Sequence, residues 1–297
     1  LPWAHVFGGT IELNTGMAVG GSIAICDNTD NLLAYLPEVQ PTMLFAVPRI
    51  WNRIYDGVRK QIAGKPGIIQ AIFAAGLRAR SKQKRGEALT LGEKIALPLA
   101  EKLVFSKIVG RFGGKLRFAF SGAAALSREV GEFIDNLGIQ VFEGYGLTES
   151  SGCTTASMPG ACRIGAVGKP IPGVEVRIDK SAAGAGEGEG EIVIYGTGVM
   201  AGYHNLPDAT KESLTADGGL RSGDLGRFDA DGFLYITGRV KELFKLENGK
   251  YVAPVPLEEK IQLSPYIAQC VIHGSNKPHN VALIVPDFVA LKGWAET

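Results

Sequence analysis

Between residues 143 and 150 the chain reads Glu143-Gly144-Tyr145-Gly146-Leu147-Thr148-Glu149-Ser150. A ring held between two glycines can stack on a flat base, and a threonine hydroxyl can hydrogen-bond a phosphate oxygen. The neighbouring carboxylate can hold a hard cation such as Mg²⁺, which prefers oxygen ligands. That combination suits a nucleotide. The same residues would also build an ordinary Gly-rich turn with a capping threonine and a surface glutamate, because short glycine motifs are weak signals. A second element, Leu220-Arg-Ser-Gly-Asp224-Leu-Gly, places an aspartate in a Gly-flanked turn. There it can accept two hydrogen bonds from a vicinal diol, as acidic residues do from ribose in dinucleotide folds, or simply close an Asx turn before a strand. Thr237-Gly238-Arg239 adds a cation that can reach ribose or phosphate, or form a surface ion pair. No Walker sequence is present: Gly165-Ala-Val-Gly168-Lys169-Pro170 lacks the spacing and the Ser/Thr, and predicts a turn into a strand. There is no GxSxG elbow.

The elements that must position these residues follow from the pattern. Ser22-Ile-Ala-Ile-Cys26 and Met43-Leu-Phe-Ala-Val47 predict buried strands. Trp51, Ile54, Tyr55 and Val58 fall on one helical face after Pro48, a good helix opening. Residues 60–110 predict a helical excursion. Lys115–Phe120 alternates like a strand and runs into Ser121-Gly122-Ala123-Ala124. Ser127 can cap a helix whose Val130, Phe133, Ile134 and Leu137 share an apolar face, with Gly138 placed to end it. A strand over Ile139–Phe142 leads into the 143–150 loop. In a right-handed βαβ unit both loops leave the carboxyl ends of parallel strands at one sheet edge, where open α/β folds bind ligands. From about 165 the texture changes to strands and turns. Val174–Ile178 and Glu191–Tyr195 alternate, the polar stretch 181–190 is a Gly-rich loop, and Asp231-Gly232 predicts a hairpin turn. A helix near Pro256–Leu263 and strands over Ala268–His273 and Val281–Val285 follow, as the start of a small α+β domain. The division expected is 1–165, an α/β sheet part, 166–239, a β subdomain, and 240–297, a hinge with part of a small C-terminal domain.

Composition bounds the function. The 297 residues carry 31 Lys and Arg against 30 Asp and Glu, a net charge of +1, so no global field points to nucleic acid. Forty glycines, roughly twice the usual share, are dispersed and indicate many tight loops. Cys26, Cys153, Cys162 and Cys270 show no CxxC pairing, which reads as scattered core thiols of a reducing compartment without zinc site or disulfides. With no membrane-length apolar run and no signal pattern, the default location is cytoplasmic. Arg78, Arg80, Lys82, Lys84 and Arg85 form a solvated basic face or, alternatively, a peripheral contact with anionic lipid.

Taken in order, Ser121-Gly-Ala, Tyr145-Gly-Leu-Thr-Glu149, Arg221-Ser-Gly-Asp224 and Gly238-Arg-Val-Lys-Glu242 resemble the adenylate-forming superfamily of acyl-CoA synthetases, luciferases and peptide-synthetase adenylation domains. Leu1-Pro-Trp-Ala-His-Val-Phe-Gly8, Val47-Pro-Arg-Ile-Trp-Asn-Arg53 and Phe244-Lys-Leu-Glu-Asn-Gly-Lys-Tyr-Val-Ala-Pro254 are similar to long-chain fatty acyl-CoA synthetases in particular. The resemblance covers essentially the whole chain. It implies an α/β fold with a large acyl-adenylate-forming domain, made of an α/β sheet and a β-barrel-like subdomain, followed by part of a small α+β domain.

The resemblance also implies roles. Gly122 and Ala123 would line an adenine pocket, Tyr145 would pack on the base between Gly144 and Gly146, and Ile236 would close the apolar side of the slot. Thr148 would meet the α-phosphate, Glu149 would bind Mg²⁺, and Asp224 and Arg239 would hold the ribose. Lys241 would be the hinge, and Lys245 with the 249–254 loop would border the nucleotide and the CoA thiol tunnel. His5 would sit near the acyl pocket or serve as a core histidine. The implied reaction uses ATP, a long-chain fatty acid and CoA. A carboxylate attacks the α-phosphate, pyrophosphate leaves, and the thiolate opens the acyl-adenylate to thioester and AMP. The family's phosphate loop would precede Leu1 and its catalytic lysine would follow Thr297. The chain is therefore expected to be an internal fragment with little adenylation alone. Ser222 stands where threonine is common before Gly-Asp, and keeps the hydroxyl. A ligase for an aryl or medium-chain acid, one that stops at the acyl-adenylate, and a non-catalytic nucleotide-binding module are the alternatives.

Overall fold

The computed structural model describes residues 1–182 and 186–295, so residues 183–185 of the Gly-rich loop and the final two positions lie outside the described residues. The chain divides into two compact units, Leu1–Gly144 and Tyr145–Thr297.

In the first unit three short parallel strands form the sheet: β1 (Met43–Ala46), β2 (Phe118–Ser121) and β3 (Val141–Tyr145), with Leu44 opposite Ala119 and Ala119 opposite Val141. Ahead of them, Phe7–Asn14 is a wide π-type helical stretch continued by Thr15–Ala18, and α1 spans Leu32–Val39. The strand expected at Ser22–Cys26 does not form. Those residues are irregular, Ile25 is 75% exposed, and none of the described strands pairs with them. A short apolar run fits a buried strand, but only a hydrogen-bonding neighbour satisfies its backbone.

Helix α2 (Pro48–Ala63) opens with its proline in the first turn, where the missing N–H is no loss, and buries Trp51, Ile54, Tyr55 and Val58 as their spacing predicts. Helices α3 (Gly67–Lys84) and α4 (Leu91–Ala100) follow. Thr90 and Glu93 cap α4 reciprocally, and a Cβ on Gly76 of α3 would lie 2.3 Å from the Ala100 Cβ, so the two helices meet closely there. Pro98 cannot donate to the helical ladder, and shortly after it the helix widens into a π-type turn, Glu101–Phe105, before Ser106–Gly110.

Between β2 and β3 runs α5 (Arg128–Asn136), with Val130 and Ile134 buried and Gly138, at φ 98°, ending the turn as expected. Ser127 occupies the cap position, yet its hydroxyl makes no capping bond. Its carbonyl, accepting the Gly131 N–H at 2.9 Å, starts the ladder instead. Phe45 stacks on Phe120 at 4.9 Å between ring centroids, and Phe120 meets Phe142 at 5.6 Å, so a run of rings crosses the sheet.

The second unit begins at Tyr145, the last residue of β3. Two-residue strands β4 (Thr155–Ala156) and β5 (Lys169–Pro170) pair antiparallel. A four-stranded antiparallel sheet follows in the order β6 (Val174–Asp179), β7 (Gly190–Gly196), β8 (Leu220–Phe228), β9 (Leu234–Arg239), with α6 (Pro207–Ser213) between β7 and β8. Asp231-Gly232 lies in the β8–β9 turn, as its sequence predicts, with Gly232 at φ 80°. Val167, Ile192, Ile194, Leu220 and Leu234 form the core on one face of this sheet.

The chain then makes a small hairpin, β10 (Phe244–Lys245) with β11 (Tyr251–Val252), and α7 (Pro254–Ile261). A second hairpin, β12 (Ile267–His273) with β13 (Val281–Pro286), precedes α8 (Phe288–Ala295). α7 starts at Pro254, two positions before the proline that the sequence suggested, because the first proline of Pro254-Val-Pro256 already lacks the N–H that a first helical turn leaves unpaired.

Cys270 alone among the four cysteines is buried; Cys26 is exposed and the other two are half-buried, so the expectation of core thiols holds for one. Among the described residues no helix is long and apolar enough to cross a membrane.

Candidate functional site: a buried carboxylate between a phenol and a guanidinium

Two loops of the second unit carry the residues of interest. The first leaves β3 at Tyr145. Gly146 follows, and the chain folds back so tightly that a Cβ there would lie 2.4 Å from the Gly152 carbonyl oxygen; only glycine fits. Thr148–Ser150 makes one 3₁₀ turn. The Ser150 hydroxyl ties it by accepting the Leu147 N–H at 2.9 Å and donating to the Leu147 carbonyl at 3.1 Å, and the Thr154 hydroxyl donates to it in turn. The turn leaves Thr148 exposed and Glu149 half-buried. Ser150 does the local tying, so the Thr148 hydroxyl is not needed as a cap.

The second loop is the start of β8. Arg221 reaches Asp179 and Glu191 at 2.9 Å each, and Glu191 also accepts the Gly223 N–H at 3.1 Å. Gly223 takes φ 73°, a left-handed conformation that a side chain resists, and the ladder shifts register between Glu191 and Val193. The Ser222 hydroxyl accepts the Asp224 N–H at 3.1 Å. These contacts fix the backbone on which Asp224 sits.

Asp224 is 4% exposed. The Tyr145 phenol donates to its Oδ2 at 2.7 Å, and Arg239, directly opposite on β9, places Nε 3.0 Å from Oδ1. Burial raises the Asp224 carboxyl above its ordinary pKa, while the phenol and the guanidinium pull it partly back. Burial likewise raises the Tyr145 phenol, reinforced by the Asp224 charge, so it remains a donor at neutral pH. Asp224 is thus not the acceptor of an Asx turn. Arg239 does make an ion pair, but with a buried aspartate, while its own side chain is 58% exposed.

Tyr145 and Ile236 pack against the core cluster of the sheet, so ring and aliphatic side chain are backed by the same apolar layer. Glu149 accepts the Tyr203 phenol on Oε1 at 2.8 Å, and no group of three His, Cys, Asp or Glu able to hold a metal occurs among the described residues.

The remaining expected residues lie elsewhere. Gly122, buried, and Ala123, exposed at φ 68°, follow β2 in the first unit, and Gly144 is that unit's last residue. His5 is exposed, its Nδ1 accepting the Phe7 N–H at 3.1 Å, so it is not a core histidine. Lys241 is exposed on the Val240–Glu242 turn. Lys245, also exposed, sits with Nζ 5.5 Å from the centre of the Tyr251 ring. Neither lysine forms an ion pair with Asp224 or Glu149 among the described residues. An open groove of ≈ 680 Å³ is lined by Tyr203, Pro207, Lys211 and Leu214 and contains none of the residues expected to bind a nucleotide.

Two contributors were not legible as site residues in the sequence. Tyr203 sits in Gly202-Tyr203-His204-Asn205, a segment without strand or helix pattern, and its only signal is an aromatic hydroxyl beside glycine. Arg221 lies inside the Gly-Asp motif, but its work is to anchor the turn through Asp179 and Glu191.

Comparison with known proteins supplies a family. The sequence pattern of the AMP-binding enzyme family matches residues 1–204, and that of the AMP-binding enzyme C-terminal domain matches residues 241–293. The chain is 37% identical to the long-chain-fatty-acid–CoA ligase FadD15 of Mycobacterium bovis over 100% of its own length and 48% of the relative's. It is 36% identical to the peroxisomal long chain acyl-CoA synthetase 6 of Arabidopsis thaliana, over 99% and 42%. It therefore spans about half the length of the curated relatives it matches. Among solved structures, ATP-bound MatB from Rhodopseudomonas palustris aligns with a TM-score of 0.67 at 25% identity, over 97% of this chain and 49% of that one.

Proposed function

The chain belongs to the AMP-binding enzyme family, and from that premise we propose that it forms the nucleotide-holding part of a long-chain fatty acid CoA ligase. The observation that carries the reading is the Asp224 carboxylate, 4% exposed and, among the described residues, met by two side-chain donors, Tyr145 and Arg239. An ionised carboxylate accepts about four hydrogen bonds, so one position on each oxygen remains for the two hydroxyls of a ribose. The Tyr145 ring, fixed through its own hydroxyl, would offer a face to adenine, with Ile236 on the apolar side of the slot and Gly146 as a backbone border. Thr148, exposed on a rigid turn, would donate to the α-phosphate.

Glu149 fits one ligand of a Mg²⁺ shared with phosphates and water, the usual arrangement for a cation that keeps much of its hydration and takes one or two carboxylates. When bound, the metal would neutralise charge on the phosphate oxygens. Arg239, largely solvent-exposed beyond its Asp224 contact, would meet ribose. The proposed first step is attack of a fatty carboxylate oxygen on the α-phosphorus of ATP, forming acyl-adenylate and releasing pyrophosphate. In the second, the CoA thiolate attacks the acyl carbon and AMP departs. Positioning and charge neutralisation are what this chain supplies.

Within this reading the part from residue 240 onward is a small domain that turns about Lys241, bringing Lys245 and the 249–254 loop toward the nucleotide and the thiol in the second half-reaction. Its support is that the C-terminal-domain pattern begins at residue 241. His5 would border the acyl chain. The choice of a long-chain acid rests on the relatives' names. The basic cluster favours the solvated face over a lipid contact, since Arg80, Lys82, Lys84 and Arg85 pair with Glu101, Glu93, Asp135 and Glu87.

The test is product analysis by the protein containing this chain, supplied with ATP, Mg²⁺, CoA and carboxylic acids of increasing chain length. Long-chain acyl-CoA formed in step with AMP supports the proposal. AMP formation with aryl or short-chain acids alone reassigns the substrate, and nucleotide binding without acid-dependent AMP leaves a binding module.

A further inference from the structure

Three hydrogen bonds lay the segment between β7 and α6 against the Thr148–Ser150 turn. The Ser151 hydroxyl donates to the Gly198 carbonyl at 2.8 Å, the Met200 N–H donates to the Glu149 carbonyl at 2.8 Å, and the Tyr203 phenol donates to Glu149 Oε1 at 2.8 Å. The approach is close: a Cβ on Gly198 would stand 3.0 Å from the Ser150 carbonyl oxygen. Tyr203 is itself anchored at its root, where its N–H donates to the Thr210 hydroxyl at 2.9 Å and that hydroxyl donates to the Leu206 carbonyl. Glu149 is thus gripped at both ends, by backbone at its carbonyl and by a phenol at its carboxylate.

We propose that Tyr203 is a positioning residue for Glu149, holding Oε1 so that Oε2 is the oxygen presented to a divalent cation. The proposal rests on Glu149 being the cation ligand of a nucleotide site. Oε2 has no hydrogen-bond partner among the described residues, and among those residues no group of three His, Cys, Asp or Glu forms a ready-made metal cage that would hold a cation without this carboxylate. A lone glutamate has three side-chain torsions to fix before it can ligate. With the phenol bound, that ordering is already done before the metal arrives, the same way second ligand layers raise metal affinity at other sites.

The test uses Mn²⁺ as the probe, its free concentration read by electron paramagnetic resonance in the presence of saturating AMP, with AMP affinity measured separately in chelator. Tyr203→Phe keeps the ring and removes only the hydroxyl. It is expected to weaken Mn²⁺ binding by about tenfold, the scale of one hydrogen bond to a charged group, while AMP affinity without metal stays unchanged. Tyr203→Phe binding Mn²⁺ like wild type while Glu149→Gln binds it weakly would overturn the positioning role and leave the cation role of Glu149 standing. Loss confined to Tyr203→Leu would also overturn it, by assigning Tyr203 to packing. If Glu149→Gln binds Mn²⁺ as wild type does, or wild type binds none, the cation reading of Glu149 falls and the proposal with it.

Discussion

Asp224→Asn removes a charge from a nearly solvent-free position while keeping the side chain's shape. Tyr145 occupies one acceptor position on Oδ2 at 2.7 Å and Arg239 one on Oδ1 at 3.0 Å. On the proposed reading, one further acceptor position per oxygen would take a hydroxyl of the diol. Each hydrogen bond to a charged acceptor contributes about 1.5–3 kcal/mol. Losing the charge from two of them, and one acceptor outright, should therefore cost about 3 kcal/mol of binding. At about 1.4 kcal/mol per decade, AMP affinity should fall roughly a hundredfold. Folding stability should move much less. Burial already opposes the ionised form of Asp224, so removing the charge relieves a desolvation penalty while the pair with Arg239 is lost, and the two partly cancel. The assay is calorimetric titration of wild type and variant with AMP and with dideoxy-AMP, which lacks the ribose diol. Wild type should prefer AMP strongly and the variant should bind both alike. A variant that keeps the preference, or one that loses affinity for both nucleotides by the same factor, refutes a diol contact at Asp224.

Further expectations concern the loops and the charges around the site. Gly146→Ala forces a Cβ within 2.4 Å of the Gly152 carbonyl oxygen and should cost about 1–3 kcal/mol, as overpacking typically does; a thermal melt reads it, and an unchanged midpoint would show that the loop gives way freely. Because the Asp224 carboxyl is raised in the folded chain, its protonated form is favoured there. Its contribution to stability is thus fully present below the ordinary aspartate pKa and lost as pH rises through the raised value, whereas diol binding runs the opposite way. AMP affinity should accordingly fall on acidification at a higher pH than an ordinary aspartate would give, and this acid limb should vanish in Asp224→Asn. Neutralising Lys82, Lys84 and Arg85 together should leave binding to anionic vesicles within about twofold, since their charges are engaged by Glu93, Asp135 and Glu87; a sedimentation assay decides.

Local patterns carried much of the architecture. The face Trp51, Ile54, Tyr55, Val58 behind Pro48 and the alternation of β6 state their own periodicity, and the structure uses both; β7 forms where expected but buries Ile192, Val193 and Ile194 in succession, so its alternation is not kept. What pattern cannot state is pairing. Ser22–Cys26 is an apolar run as short and strand-like as β2, yet a strand exists only against a partner, and β2 has two. The same limit governs the site. The sequence names Tyr145 and Asp224 separately, but that one donates to the other across 79 residues is a product of the fold. Arg239 meets Asp224 because β8 and β9 pair in that register, which the Asp231-Gly232 turn suggests without specifying. Tyr203 acts through a loop whose path is set by backbone bonds to Glu149 and by its root on Thr210. Nothing in its local spacing marks it.

The proposed chemistry makes one atom traceable. If a fatty carboxylate oxygen attacks the α-phosphorus and the thiolate later attacks the acyl carbon, the bridging oxygen must leave with AMP. The protein containing this chain, given fatty acid labelled with heavy oxygen in its carboxylate, ATP, Mg²⁺ and CoA, should yield AMP carrying one labelled oxygen and pyrophosphate carrying none. Label in pyrophosphate or inorganic phosphate, or acyl-CoA formed beside unlabelled AMP, would contradict the account.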